Sequence, residues 1–211
     1  MMQVIDCKNK NYKKKLNNFL LQRRLSKNSE IKIVKKIIKD IKKNKFKALL
    51  KYEKKISNNN QIKINTNQIN NSIRSLDQRT KKAIDFAYNR ILKFHSKQKV
   101  KNIFYKDSLN NKLEYRHIPL NSVGIYVPAN LPSTLLMNAI PAKLANVKRI
   151  VLANPKINGK LNPAVLYAAK KIGIKEIYSM GGAQAIGSLA YIQKVNKIVG
   201  PGNNYVANAK K

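Results

Sequence analysis

The chain has 211 residues, enough for one large or two small domains with a sizeable core. It carries 44 Lys and Arg against 9 Asp and Glu, a formal net charge of +35. No stretch approaches the roughly 18 consecutive apolar residues of a membrane span, and no signal peptide is visible. A single cysteine excludes an internal disulfide or a CxxC zinc site. We therefore expect a cytoplasmic protein that does not enter a membrane.

Residues 1–118 hold most of the charge and are predicted to be mainly helical. Between Ile31 and Tyr52, apolar residues recur close to the i, i+3, i+4 spacing of a helix, and Asn58-Asn59-Asn60 ends that pattern. A second amphipathic helix is predicted from Thr80 to Lys97. The helices of this region therefore present one apolar face each.

Two short β elements are also predicted in this first region. Ile62 and Ile64 alternate with polar residues, as in a short strand. The stretch 101–119 alternates too, and Asn110-Asn111 interrupts it, which suits a strand pair or hairpin.

From residue 119 the chain alternates short apolar strands with helices of about ten residues. Four strands are predicted: Val123–Val127, Arg149–Ala153, Glu176–Met180 and Lys197–Val199. Pro141 is expected to kink or interrupt the first helix, and Gly173 to cap the second. The alternation is typical of a parallel sheet with helices on its faces. The predicted fold class is α/β: a helical N-terminal region, 1–118, then an incomplete Rossmann-like sheet with helices on both faces, 119–211.

Three of the strand-to-helix turns suggest a ligand site. They are Tyr126-Val127-Pro128, Gly181-Gly182-Ala183-Gln184 and Gly200-Pro201-Gly202-Asn203. Ligands of open parallel sheets bind at the carboxyl ends of the strands, where all three turns lie. The aromatic ring of Tyr126 suits stacking, the amides of Gln184 and Asn203 suit hydrogen bonds, and glycine with a helix N-terminus suits an anion. There is no G-x-G-x-x-G motif and no acidic residue to hold a ribose, so the pattern fits nucleotide binding and plain turn chemistry equally.

Longer segments carry a resemblance to a known family. These are "SVGIYVPANLPSTLLMNAIPAKLANVKRIVLANP", "EIYSMGGAQAIGSLAY" and "VNKIVGPGNNYVANAKK". Upstream, "VKKIIKDIKKNKFKALLKYEKKI" and "AIDFAYNRILKFHSKQ" follow in the same order. From about residue 31 to its end, the chain resembles the amino-terminal half of histidinol dehydrogenase.

The resemblance implies an activity and a set of binding residues. The family oxidises L-histidinol to L-histidine with NAD, the last step of histidine biosynthesis, as a homodimer in which zinc positions the substrate. It implies that Tyr126, Gln184 and Asn203 contact NAD. The family's zinc ligands and catalytic Glu-His pair lie beyond the GPGN helix, so we expect no catalytic residue and no zinc ligand in this chain. We expect it to be inactive alone and to act as a homodimer or with a separately encoded C-terminal half.

The sequence also departs from the family pattern near the expected site. The glycine pair that follows the YVP strand in the family is Ala129-Asn130 here, in a shorter loop. The aspartate that usually precedes the GPGN strand is Asn196. Glycine would allow closer approach of a ligand to the backbone.

The high charge leaves two alternatives open: a basic protein that binds RNA or another polyanion, and a non-functional remnant. Lysine makes up most of the excess, 37 Lys against 7 Arg, whereas Arg is preferred for bidentate phosphate and base contacts. Lys, Asn and Ile together make 90 of the 211 residues. Their codons are A/T-rich, so drift in an A/T-rich genome explains the high charge without a nucleic-acid partner. We therefore favour the enzyme over a nucleic-acid-binding protein.

Overall fold

The computed structural model describes residues 5–211, apart from the side chains of residues 23–29. A 46-residue helix, α1, runs from Tyr12 to Ser57 and bends at Lys45, where φ is 49° and ψ is −126°. It ends at Asn58 in the left-handed conformation that stops helices. The predicted helix over 31–52 is confirmed, but α1 begins at Tyr12, well before the predicted start at Ile31.

Two shorter helices and a hairpin complete the first region. Helix α2 spans Thr66–Arg74 and α3 spans Gln78–Ser96. Strands β1, Ile103–Lys106, and β2, Lys112–Tyr115, pair antiparallel as predicted. The strand expected at Ile62 and Ile64 was wrong: the segment forms only an isolated bridge, at the neighbouring Lys63, to the edge of the main sheet.

The second region forms the predicted parallel sheet. Its strands are β3, Ser122–Tyr126; β4, Arg149–Ala153; β5, Glu176–Tyr178; and β6, Lys197–Val199. The helices that follow them are α4, Pro132–Leu144; α5, Pro163–Ile172; α6, Gly182–Tyr191; and α7, Asn204–Ala209. All neighbouring strand pairs are parallel, and the α/β fold prediction is confirmed. The interruption expected at Pro141 was wrong, because α4 continues past it to Leu144.

The order of the strands in the sheet reverses direction at β3. Its strand order is β5-β4-β3-β6, so the chain first moves outward from β3 and then returns through α6 to the other side of β3. Open parallel sheets bind ligands at the carboxyl ends of the two strands that flank such a reversal. Here those strands are β3 and the edge strand β6.

Alternating side chains of the strands build a core on each face of the sheet. Val123, Ile125, Leu152 and Ile177 point to one face, where they join side chains of α2, α3, α4 and α5. Tyr126, Val151, Ala153 and Tyr178 point to the other face and pack with α6. Helix α1 covers α6 on that side. Among the described residues, no helix combines the length and the apolar character that crossing a bilayer requires.

Candidate functional site

Tyr126 is the last residue of β3 and lies at the sheet reversal. Its side chain is largely buried, with the residue 7% exposed. Burial raises the pKa of its hydroxyl; the backbone N–H of Gly182 partly offsets the rise, and the nearby Glu53 adds to it. The end of β3 is therefore linked to the start of α6.

Glu53, near the end of α1, lies beneath the turn that opens α6. The residue is 1% exposed. Its Oε1 accepts hydrogen bonds from the Gly181 backbone N–H at 2.9 Å and from Gln184 Nε2 at 3.1 Å. Burial raises the pKa of the Glu53 carboxyl, and the Gly181 and Gln184 donors partly offset that rise. A carboxylate of the protein thus occupies the position where a helix N-terminus would attract an anion.

Gln184 is held from one side only. It is 2% exposed and donates through Nε2 to Glu53. Its Oε1 lies above Gly182: a Cβ added to that glycine, whose φ is +56°, would stand 2.9 Å from it. No described residue donates a hydrogen bond to Gln184 Oε1, which leaves this oxygen as an acceptor.

A polar network continues outward from Glu53. Asn59, 4% exposed, donates to the Ser179 carbonyl at 2.6 Å and accepts from Lys156 Nζ at 2.9 Å. Burial lowers the pKa of the Lys156 ammonium, and the negative charge of Glu53 works against this. The network ties the end of α1 to the segments that follow β4 and β5.

Asn154, directly after β4, holds the loop that follows Tyr126. It is fully buried, and its Nδ2 donates to the carbonyls of Val127 at 3.0 Å and Pro128 at 3.3 Å. Its Oδ1 is buried and has no partner among the described residues. The loop after β3 is therefore fixed from the neighbouring strand.

The third turn begins against Tyr126. Gly200 has a φ of +110°, and a Cβ there would overlap the Tyr126 carbonyl oxygen. Only glycine fits this close approach of β6 to β3. Asn203 is exposed, and its Oδ1 accepts from the Val206 N–H at 3.2 Å as the N-cap of α7. Its Nδ2 has no acceptor among the described residues.

The structure brings Tyr126 and Gln184 together around Glu53. Asn203 reaches the same edge through Gly200, but none of its hydrogen bonds within the described part of the chain goes to the other two. A groove of about 390 Å³ beside β6 is lined by Tyr191, Lys197 and other residues, none of them these three.

Glu53 was missed from the sequence. The available signal is an acidic residue four positions after the buried Leu49, on the apolar side of a helix, in a chain with only 9 acidic residues. Asn59 and Lys156 gave no signal, because their contacts depend on the tertiary fold.

The described residues do not fit a zinc ion. No three His, Cys, Asp or Glu side chains among them are grouped so that they could hold a metal. Zinc in proteins is usually bound by three or four such ligands.

The strand order defines an α/β protein of the doubly wound class. Members of this class bind their ligands at the carboxyl ends of the strands. The sequence model of one family, histidinol dehydrogenase, matches residues 21–211. The chain belongs to the histidinol dehydrogenase family.

Individual relatives agree with the family match. The chain is similar to the histidinol dehydrogenase of Pelagibacter ubique (strain HTCC1062), at 57% identity over 218 residues, covering 100% of this chain and 51% of that protein. It is 45% identical over 197 residues to that of Caldanaerobacter subterraneus subsp. tengcongensis, covering 87% of this chain and 45% of the relative. The crystal structure of histidinol dehydrogenase from Elizabethkingia anophelis matches with a TM-score of 0.80 and 39% identity, over 85% of this chain and 44% of that one.

The chain therefore spans about half the length of the relatives it matches. It corresponds to part of such an enzyme, as the resemblance predicted. The comparisons give no support to the polyanion-binding alternative.

Proposed function

We propose that this chain is the amino-terminal, NAD-binding part of a histidinol dehydrogenase, which converts L-histidinol to L-histidine. The observation that carries the proposal is the reversal of the sheet between β3 and β6, in a chain of this family. The reversal places Tyr126 beside the Gly200–Asn203 turn, at the edge where doubly wound sheets bind dinucleotides.

Three residues are proposed to hold NAD, whose nicotinamide supplies the hydride acceptor. Tyr126 offers a largely buried aromatic surface for packing. Gln184 offers Oε1 as an acceptor, since its Nε2 is engaged by Glu53. Asn203 offers Nδ2 as a donor, since its Oδ1 caps α7. Between Glu114 and Glu176 the chain has no acidic residue, so amides take the place of the carboxylate that usually holds a ribose.

The zinc ligands, the acid-base residues and most histidinol contacts are proposed to come from polypeptide outside these 211 residues. They would belong to a separately encoded C-terminal half, and the chain is proposed to act as a homodimer or together with that half. We further propose that residues 1–118 form a helical region, that residues 119–211 form the NAD-binding region, and that the protein is cytoplasmic.

The exposed apolar side chains of the hairpin, such as Phe104 and Leu109 at 62% and 79% exposure, support a further protein contact.

Two measurements test the proposal together. NADH formation from histidinol and NAD, with zinc added, should stay at background for the purified 211-residue chain. Isothermal titration should detect weak NAD binding, near millimolar or about 4 kcal/mol, that Tyr126→Ala abolishes. Turnover by the chain alone, or tight binding of single-stranded RNA with no binding of NAD, would contradict it.

A further inference from the structure

Glu53 differs from the ion-paired carboxylates of the chain. The ion pairs among the described residues are made by Asp40, Asp85, Glu114 and Glu176. Glu53 is the most buried acidic residue described, yet it takes no Lys or Arg partner in a chain with 44 of them. It bonds instead to the amide groups of Gly181 and Gln184. Burying a charge is costly unless specific donors satisfy it, so this arrangement calls for an explanation.

We propose that Glu53 is a positioning residue of the cofactor site, which fixes the Gln184 amide so that Oε1 faces the ligand. The ligand group that meets Gln184 is then a hydrogen-bond donor, a hydroxyl or a carboxamide N–H₂. This inference deepens the proposed function, because the ligand in question is NAD.

The direction of the amide follows from hydrogen-bond chemistry. An ionised carboxylate only accepts hydrogen bonds, and an amide side chain has one accepting and one donating end. With Glu53 at 3.1 Å from Nε2, turning the amide over would set two oxygens against each other. Gln184 Oε1 therefore points away from Glu53, over Gly182.

The same arrangement excludes an anionic group from this turn. The Gly181 N–H is already bonded to Glu53, and the Gly182 N–H faces the Tyr126 hydroxyl. A phosphate here would meet a carboxylate and an amide oxygen beside two N–H groups that already have partners. We place a ribose hydroxyl or the nicotinamide carboxamide at Gln184, and the pyrophosphate away from it.

Three variants test the positioning role. Glu53→Gln keeps an acceptor oxygen for Gly181 and Gln184, whereas Glu53→Leu has a similar size and no acceptor. Glu176→Leu is the matched control, because it also removes a carboxylate but lies at the amino end of β5. We expect Glu53→Leu to weaken NAD binding about tenfold or more, and Glu53→Gln by less than about threefold. Equal losses in Glu53→Leu and Glu176→Leu would overturn the proposal.

A second readout needs no ligand. In ¹⁵N–¹H spectra of the free wild-type chain, the Gly181 amide and the Gln184 side-chain N–H₂ should shift together as the Glu53 carboxyl titrates. The charged or titrating groups facing this carboxyl are Lys156 and Tyr126, whose ordinary pKa values are about 10. Burial lowers the pKa of Lys156 and raises that of Tyr126. Glu53→Gln should abolish the shift.

The two readouts separate the inference from the function it rests on. If the wild-type chain binds no NAD, the proposed function is contradicted. The ligand-free spectra would still show whether Glu53 contacts Gly181 and Gln184. Gly181 and Gln184 signals indifferent to pH and to Glu53→Gln would overturn the inference. If Glu53→Leu fails to fold, the comparison of wild type with Glu53→Gln carries the test.

Discussion

Glu53 and Gln184 are 131 residues apart in the sequence, yet their side chains meet at 3.1 Å in the interior of the protein. The contact joins the end of the long first helix to the turn that opens α6. Helix α1 thus covers α6 on one face of the sheet and also reaches the carboxyl edge of the sheet. Changes in α1 should therefore affect the candidate cofactor site.

The raised pKa of Glu53 predicts how stability depends on pH. A carboxyl whose pKa is higher in the folded than in the unfolded protein destabilises the fold as it ionises. Its contribution should be lost as pH rises from its ordinary value of 4.5 through the raised folded value. Glu53→Gln, which does not ionise, should gain stability relative to wild type across that window.

Urea unfolding at a series of pH values measures this difference. The free-energy difference between Glu53→Gln and wild type should grow with pH and then level off. A constant difference, or one that shrinks as pH rises, would show that burial does not disfavour the charged form of Glu53.

Glu176 should behave in the opposite way. Arg149 donates to both carboxylate oxygens at 2.7 Å, and this lowers the pKa of Glu176 below its ordinary value. Its stabilising contribution should be present above that ordinary value and be lost as pH falls through the lowered one. Both side chains are about one-third exposed, so we expect only about 1 kcal/mol.

A double-mutant cycle checks the pair. Arg149→Lys and Glu176→Gln should each reduce the free energy of unfolding, and the double variant should lose less than the sum of the two. Full additivity would mean that the two side chains do not interact.

Gly200 should tolerate no side chain. Its φ of +110° strains any other residue, and a Cβ would overlap the Tyr126 carbonyl. Gly200→Ala should lower the free energy of unfolding by at least about 3 kcal/mol.

Gly159→Ala is the control for backbone strain alone. Gly159 also has a positive φ, +76°, but no described atom lies within 4 Å of its Cβ position. Its loss should be about 1 kcal/mol, measured by the same denaturant curves. Equal losses at the two positions would show that the approach of β6 to β3 is not tight.

The exposed apolar surface predicts that the isolated chain is marginally stable or aggregates. Leu109 and Ile118 are 79% and 82% exposed, in and beside the hairpin. We expect a marginally stable or aggregating protein, and we expect Ile118→Lys to reduce aggregation without lowering stability. Light scattering and thermal unfolding measure both. A monodisperse wild-type monomer with a sharp, cooperative transition would argue against this view.

The sequence predicted the sheet better than it predicted the site. Strands such as Arg149–Ala153 were predicted because β-branched apolar runs bounded by turn residues are a local pattern. The early turns of α1 were missed because residues 12–30 are largely polar, and the short apolar pattern of Leu16, Phe19 and Leu20 was not recognised as helical. An interruption was expected at Pro141 because proline removes a helical hydrogen bond, but α4 continues to Leu144.

The site itself depends on contacts that local patterns do not contain. Tyr126, Gln184 and Asn203 were identified as ligand candidates because each follows a strand. The partner of Gln184 was not identified, because Glu53 lies in a different region of the chain. The reversal that brings β6 beside β3 is likewise a property of the whole sheet.

The central claim is that the carboxyl edge of this sheet binds NAD. The most direct test is an NAD titration of the ¹⁵N-labelled chain followed by NMR. Amides of Gly181–Gln184 and Gly200–Asn203 should shift first and together, with an affinity near millimolar. Shifts scattered over the lysine-rich residues 1–118, with the two turns unmoved, would contradict the claim.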